Sequence, residues 1–99
     1  APKHSLEVNR MKAIVSVFAK DARGITAYVT ALLAERDINI LDISQTLMQE
    51  YFAMIMLVDL EACTLPFHEL AKELQEKGME RSLDIHIQRS DIFEAMHRI

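Results

Sequence analysis

At 99 residues and 51% apolar, the chain supports one compact domain with a real core and no more. A net charge of -4 excludes nucleic acid as a default partner, because phosphate binding needs clustered Lys and Arg. One cysteine excludes an internal disulfide and a cysteine metal site, and no apolar run approaches the roughly 18 residues of a membrane span. No secretory apolar segment follows the N-terminus, so the expected compartment is the cytoplasm and no membrane partner is expected.

Residues 1–10 read as separate from the domain, either a native extension or a leftover of expression, with Met11 as the alternative start. Leu6 and Val8 are the residues able to tie that segment down. Lys12–Ala19 alternates, with Ala13, Val15 and Val17 on one side and Ile14, Ser16 and Phe18 on the other, and reads as a strand. Ile25–Arg36 carries Ile25, Tyr28, Val29, Leu32 and Leu33 at helical spacing, one apolar face. Ile38–Gln49 returns to strand character. Its phase breaks at Ile40-Leu41, which predicts a bulge.

Tyr51–Leu60 is a further strand, joined through a Gln49-Glu50 hairpin turn. Pro66–Gly78 is the second helix, capped by Thr64, ended by Gly78, and packed through Phe67, Leu70, Ala71 and Leu74. Ser82–Arg89 alternates Leu83, Ile85 and Ile87 against Asp84, His86 and Gln88. Ser90-Asp91 can cap a short last helix bearing Ile92, Phe93, Met96 and Ile99. The order is βαββαβ plus a tail helix. Right-handed crossovers then predict an α+β, ferredoxin-like fold, with both helices on one face of a four-stranded antiparallel sheet and the first and third strands central.

The third strand is apolar on both sides: Phe52, Met54, Met56 and Val58 against Tyr51, Ala53, Ile55 and Leu57. Two helices cover one side only. The candidates to cover the other are the tail helix, a second copy of the chain or both, and a homo-oligomer is expected, although central strands are often apolar on both sides without one.

Much familiar chemistry is missing. A Cys-x-x-Cys metal loop is absent, and His4, His68, His86 and His97 have no ligand spacing. Nothing orients His68 as a base for Cys63, so Cys63 reads as packing. Glu69, Glu73, Glu76 and Glu80, interleaved with Lys72 and Lys77, read as a solvated helix face. No catalytic residue, metal or cofactor is expected.

What remains is Lys20-Asp21-Ala22-Arg23-Gly24-Ile25 between strand and helix, and Asn39 at the opening of the next strand. Free N–H groups at Gly24, Ile25 and Thr26 and the positive end of the helix suit a carboxylate, and Gly24 permits close approach. Asn39, carried back beside that turn, can accept from an ammonium, and Asp21 can supply the opposite charge. A plain strand-to-helix turn with a glycine, followed by a strand-opening asparagine, explains the same spacing and on spacing alone is the simpler reading.

The residues themselves carry a resemblance. Asp21-Ala22-Arg23-Gly24-Ile25 after a strand, Asn39-Ile40-Leu41-Asp42-Ile43-Ser44-Gln45-Thr46 after a helix, and Ile92-Phe93-Glu94-Ala95-Met96 at the end resemble the ACT domain family, in particular its stand-alone UPF0237 members. The likeness spans residues 11–99. It implies a non-enzymatic regulatory module that binds a small ligand, an amino acid by preference, at an interface between subunits. The positions carried over are Asp21, Ala22, Arg23, Gly24 and Ile25 in the loop, and Asn39, Ile40 and Leu41 at the strand start. Many members have Pro or Ser before the glycine; an arginine there is able to fill the pocket itself. A ligand-free module that only pairs proteins is the alternative. An acylphosphatase-like hydrolase shares the strand order, but its loop needs further glycines.

Overall fold

The computed structural model describes residues 12–21 and 23–90. The N-terminal segment, Met11, Ala22 and the expected tail helix with Ile92, Phe93, Met96 and Ile99 lie outside the described residues. The elements run β1 (Lys12–Ala19), α1 (Ile25–Glu35), β2 (Asn39–Met48), β3 (Tyr51–Asp59), α2 (Phe67–Glu80) and β4 (Asp84–Arg89). The sheet order is β2-β3-β1-β4, all neighbours antiparallel, with β1 and β3 in the centre. This is the expected βαββαβ sandwich.

The inner face of the sheet carries the core. Ala13, Val15 and Val17 of β1 and Met54, Met56 and Val58 of β3 are fully buried, and Val29, Leu33 and Leu74 close over them from the helices. The third strand splits as its pattern requires: Phe52, Met54, Met56 and Val58 are buried, while Tyr51 and Ile55 are exposed. The bulge falls at Leu41, where the β2–β3 register shifts between Ile40 and Asp42.

Both helices end in the same turn. After α1, Ile38 N–H donates to Leu33 O at 2.9 Å and Asp37 N–H to Ala34 O; after α2, Leu83 N–H donates to Gly78 O at 2.8 Å and Ser82 N–H to Met79 O. These are Schellman caps, with Asp37 (φ 59°) and Ser82 (φ 59°) in the left-handed position that glycine ordinarily fills. Ile38 and Leu83, which follow, are buried.

This corrects the reading of α2. Gly78 does not end the helix; it lies within the last turn, against β4. A Cβ there would meet Ile85 Cδ1 and Cγ1 at 2.9 Å and Leu83 O at 3.0 Å, so the glycine is kept for close packing. Nor does Thr64 cap the helix: the N-cap is Pro66, with no side-chain hydrogen bond. Glu73 is not simply solvated either. Its Oε1 accepts from Arg36 Nε at 2.9 Å, and Arg36 also donates to Leu32 O, joining α2 to the end of α1.

Candidate functional site

The β1–α1 loop is built by two local devices. Asp21 Oδ1 accepts the Arg23 N–H at 3.0 Å, an Asx turn that folds the chain back toward the helix. Gly24 then adopts φ 72°, ψ 0°, and its carbonyl accepts from Tyr28 N–H to begin α1. No side chain caps this helix, and an added Cβ at Gly24 would find open space within 4 Å. The glycine is there for its backbone angle, and the first N–H groups of α1 are left for water or a ligand.

Beside the loop is a cavity of about 220 Å³. One wall is the loop, through Lys20, Asp21 and Arg23. The other is the turn between α2 and β4, through Arg81 and Ser82, with Tyr28 between them and Ala19, Ile25 and Leu83 at the base. The Arg81 guanidinium lies over the Tyr28 ring, 4.5 Å from its centroid. Tyr28 is fixed in turn by its hydroxyl, which donates to Lys77 O at 2.9 Å. Arg23 lines this space without filling it.

Asn39 is not carried back beside the loop of its own chain. It pairs with Asp59, which pairs with Lys12, so it stands at the start of β1, whereas the loop follows the end of β1. Eight residues of strand put roughly 25 Å between them. The physical reason is the topology: β1 and β2 run the same way, so a strand start and a strand end fall at opposite edges. Asn39, Ile40 and Leu41 meet an Asp21–Ile25 loop only if a second copy brings them.

Three cavity residues escaped the sequence reading. Tyr28 reads as core by its spacing, and its half-exposed edge is invisible there. Arg81 and Ser82 were hidden by ending α2 at Gly78. The signal was in the strand order: β4 is antiparallel to β1, so its start, Asp84 opposite Phe18, must lie beside the loop after Ala19.

A second, apolar hollow of about 370 Å³ lies on the outer sheet face, among Phe18, Met48, Tyr51 and Ala53. Cys63 is half-buried against the core, and His68 is exposed. Among the described residues, no group of three or more His, Cys, Asp or Glu is placed to hold a metal ion, and no helix is long and apolar enough to cross a membrane.

The chain and its fold match a known class. Residues 12–88 fit the ACT domain model. A UPF0237 protein of Clostridium acetobutylicum is 53% identical over 89 residues, covering 90% of this chain and all of that one. One from Methanocaldococcus jannaschii is 48% identical, covering 89% of this chain and 98% of that one. An ACT domain protein from Streptococcus pneumoniae superposes with a TM-score of 0.77 at 42% identity, over 85% of this chain and 94% of that one. The chain belongs to the ACT domain family, and within it to the UPF0237 group. ACT domains are typically regulatory modules that bind small ligands.

Proposed function

We propose that the chain is a non-catalytic, cytoplasmic regulatory protein that senses an amino acid, and that its sensing unit is an assembly of copies. The ligand carboxylate sits on the N–H groups that open α1, at Gly24, Ile25 and Thr26, with Asp21 beside it. Asn39, Ile40 and Leu41 of a neighbouring copy close the site. The observation that carries this reading is the uncapped start of α1: a left-handed Gly24 in open space, free N–H groups, and a cavity against the same loop. The ten residues of β2, none of them buried, supply an edge on which a second copy can bring its own strand start.

Binding then shifts the assembly by mass action. A ligand of about eight heavy atoms at about 0.7 kcal/mol each gains roughly 5 to 6 kcal/mol, a Kd near 0.1 mM, which suits a metabolite pool. Calorimetric titration against the twenty amino acids tests this, with Gly24→Val and Asn39→Ala as controls. The expected result is a saturable heat for at least one amino acid, weakened in both variants. Silence across wild type and variants would reject amino-acid sensing.

One observation favours the ligand-free interaction module. Phe18, Met48, Tyr51 and Ile55 form an exposed apolar group on the outer sheet face. Tyr51→Asp is the discriminating variant. Loss of assembly with ligand binding retained supports the module reading for that face; loss of both ties the face to sensing.

A further inference from the structure

Charges converge on the cavity between the β1–α1 loop and the α2–β4 turn. Lys20, Arg23 and Arg81 bring three cations to its walls, and Asp21 brings one carboxylate. Among the described residues, none of the three cations forms an ion pair. Elsewhere some cations are paired, Arg36 with Glu73 and Lys77 with Glu80. A chain of net charge -4 thus holds a local surplus of positive charge at one concave place.

The wall is also pre-set. Arg81 lies over the Tyr28 ring, and the Tyr28 hydroxyl is held by the Lys77 carbonyl, so less side-chain freedom is lost when the guanidinium meets an anion. Asp21 Oδ1 is engaged by the Arg23 N–H, which leaves its other oxygen for a cation.

We infer that this cavity selects an acidic amino acid, a ligand with two carboxylates and one ammonium. The inference rests on the amino-acid reading above and narrows it. Three positive groups and one negative group outnumber, with complementary signs, the two carboxylates and one ammonium of aspartate or glutamate. The α-carboxylate takes the loop and the start of α1, the ammonium takes Asp21, and the side-chain carboxylate takes Arg81, a geometry suited to a planar fork. A volume of about 220 Å³ matches a ligand of this size and is small for a nucleotide. A neutral amino acid would leave Arg81 without its partner.

The test is calorimetry on the full chain with L-aspartate, L-glutamate, L-alanine, L-serine, succinate and inorganic phosphate. One of the two acidic amino acids is expected to bind at least about tenfold tighter than alanine or serine, and more weakly as salt rises. Arg81→Gln is expected to remove that preference, and Arg81→Lys to restore part of it. Arg81 is exposed, so Arg81→Gln should fold, and unchanged urea unfolding checks that. Succinate and phosphate lack the ammonium and are expected to bind about tenfold more weakly than the acidic amino acid.

Equal binding of alanine and aspartate overturns the inference, as does a preference indifferent to Arg81→Gln, or phosphate binding as tightly as the amino acid. Asn39→Ala separates the two claims. If it abolishes binding while Arg81→Gln does nothing, the interface site stands and the acidic selectivity falls. If Arg81→Gln removes the acidic preference and Asn39→Ala does nothing, the selectivity stands and the shared site falls.

Discussion

The two edge strands of the sheet have opposite fates. β4 is six residues long, and Ile85 and Ile87 are buried beneath α2, with Gly78 cut back so that helix and strand can meet closely. β2 is ten residues long and has no buried residue, although Ile40, Ile43, Gln45 and Leu47 point to the same side as the helices. Helix α1 touches it sparingly, through Gln45 Nε2 donating to Thr26 Oγ1 at 3.5 Å. Leu47 is 67% exposed. One edge is finished within the chain, and the other is left as a surface. An unfinished edge of this length is costly unless something covers it, and a second copy of the chain would do so.

The contrast can be broken by mutation, and the largest effect belongs to the finished half. Leu74→Ala removes a fully buried side chain of α2 and should cost about 2–5 kcal/mol in urea unfolding. Leu47→Ala, on the unfinished edge, should stay within about 0.5 kcal/mol when measured at a dilution that separates copies. A large loss at Leu47 under those conditions would mean that the edge is covered by its own chain. Gly78→Ala comes next. The new methyl must displace Ile85 and the Leu83 carbonyl, at about 1–3 kcal/mol, with the β4 amides exchanging faster.

Arg36→Ala takes away the tie from the end of α1 to Glu73. The Arg36 side chain is only 13% exposed but Glu73 is 41% exposed, so solvent screens the pair and the loss should be about 1 kcal/mol. The smallest change is a gain. Asp37→Gly relieves a left-handed residue at an exposed helix end and should stabilise by roughly 0.5 kcal/mol.

The same contrast explains what could be read from residues alone. Strands with one buried face announce themselves by alternation, as in Val15, Val17, Ile85 and Ile87, and the helices by the spacing of Val29, Leu33, Leu70 and Leu74. The bulge at Leu41 was legible because two adjacent apolar residues cannot share one face of a regular strand. The helix ends were not. A Schellman turn ordinarily shows a glycine, and here Asp37 and Ser82 hold that place while the nearby Gly78 serves packing.

The loop was legible as a site because Gly24 stands where a strand gives way to a helix. Its companions were not, since Arg81 and Ser82 reach it through the antiparallel pairing of β1 with β4, which sets Phe18 opposite Asp84, a relation that no local pattern encodes. Asn39 was placed beside the loop by its motif and lies at the far end by topology.

A small ligand at the start of α1 would shield the backbone amides there. Backbone hydrogen exchange, with and without the amino acid that titrates best, reads this directly. Exchange should slow at Ile25 and Thr26, and at Ser82 and Leu83 across the cavity, with the buried amides of β3 unchanged. Protection spread evenly over the sheet, or none at these four amides under saturating ligand, would contradict a ligand at that place.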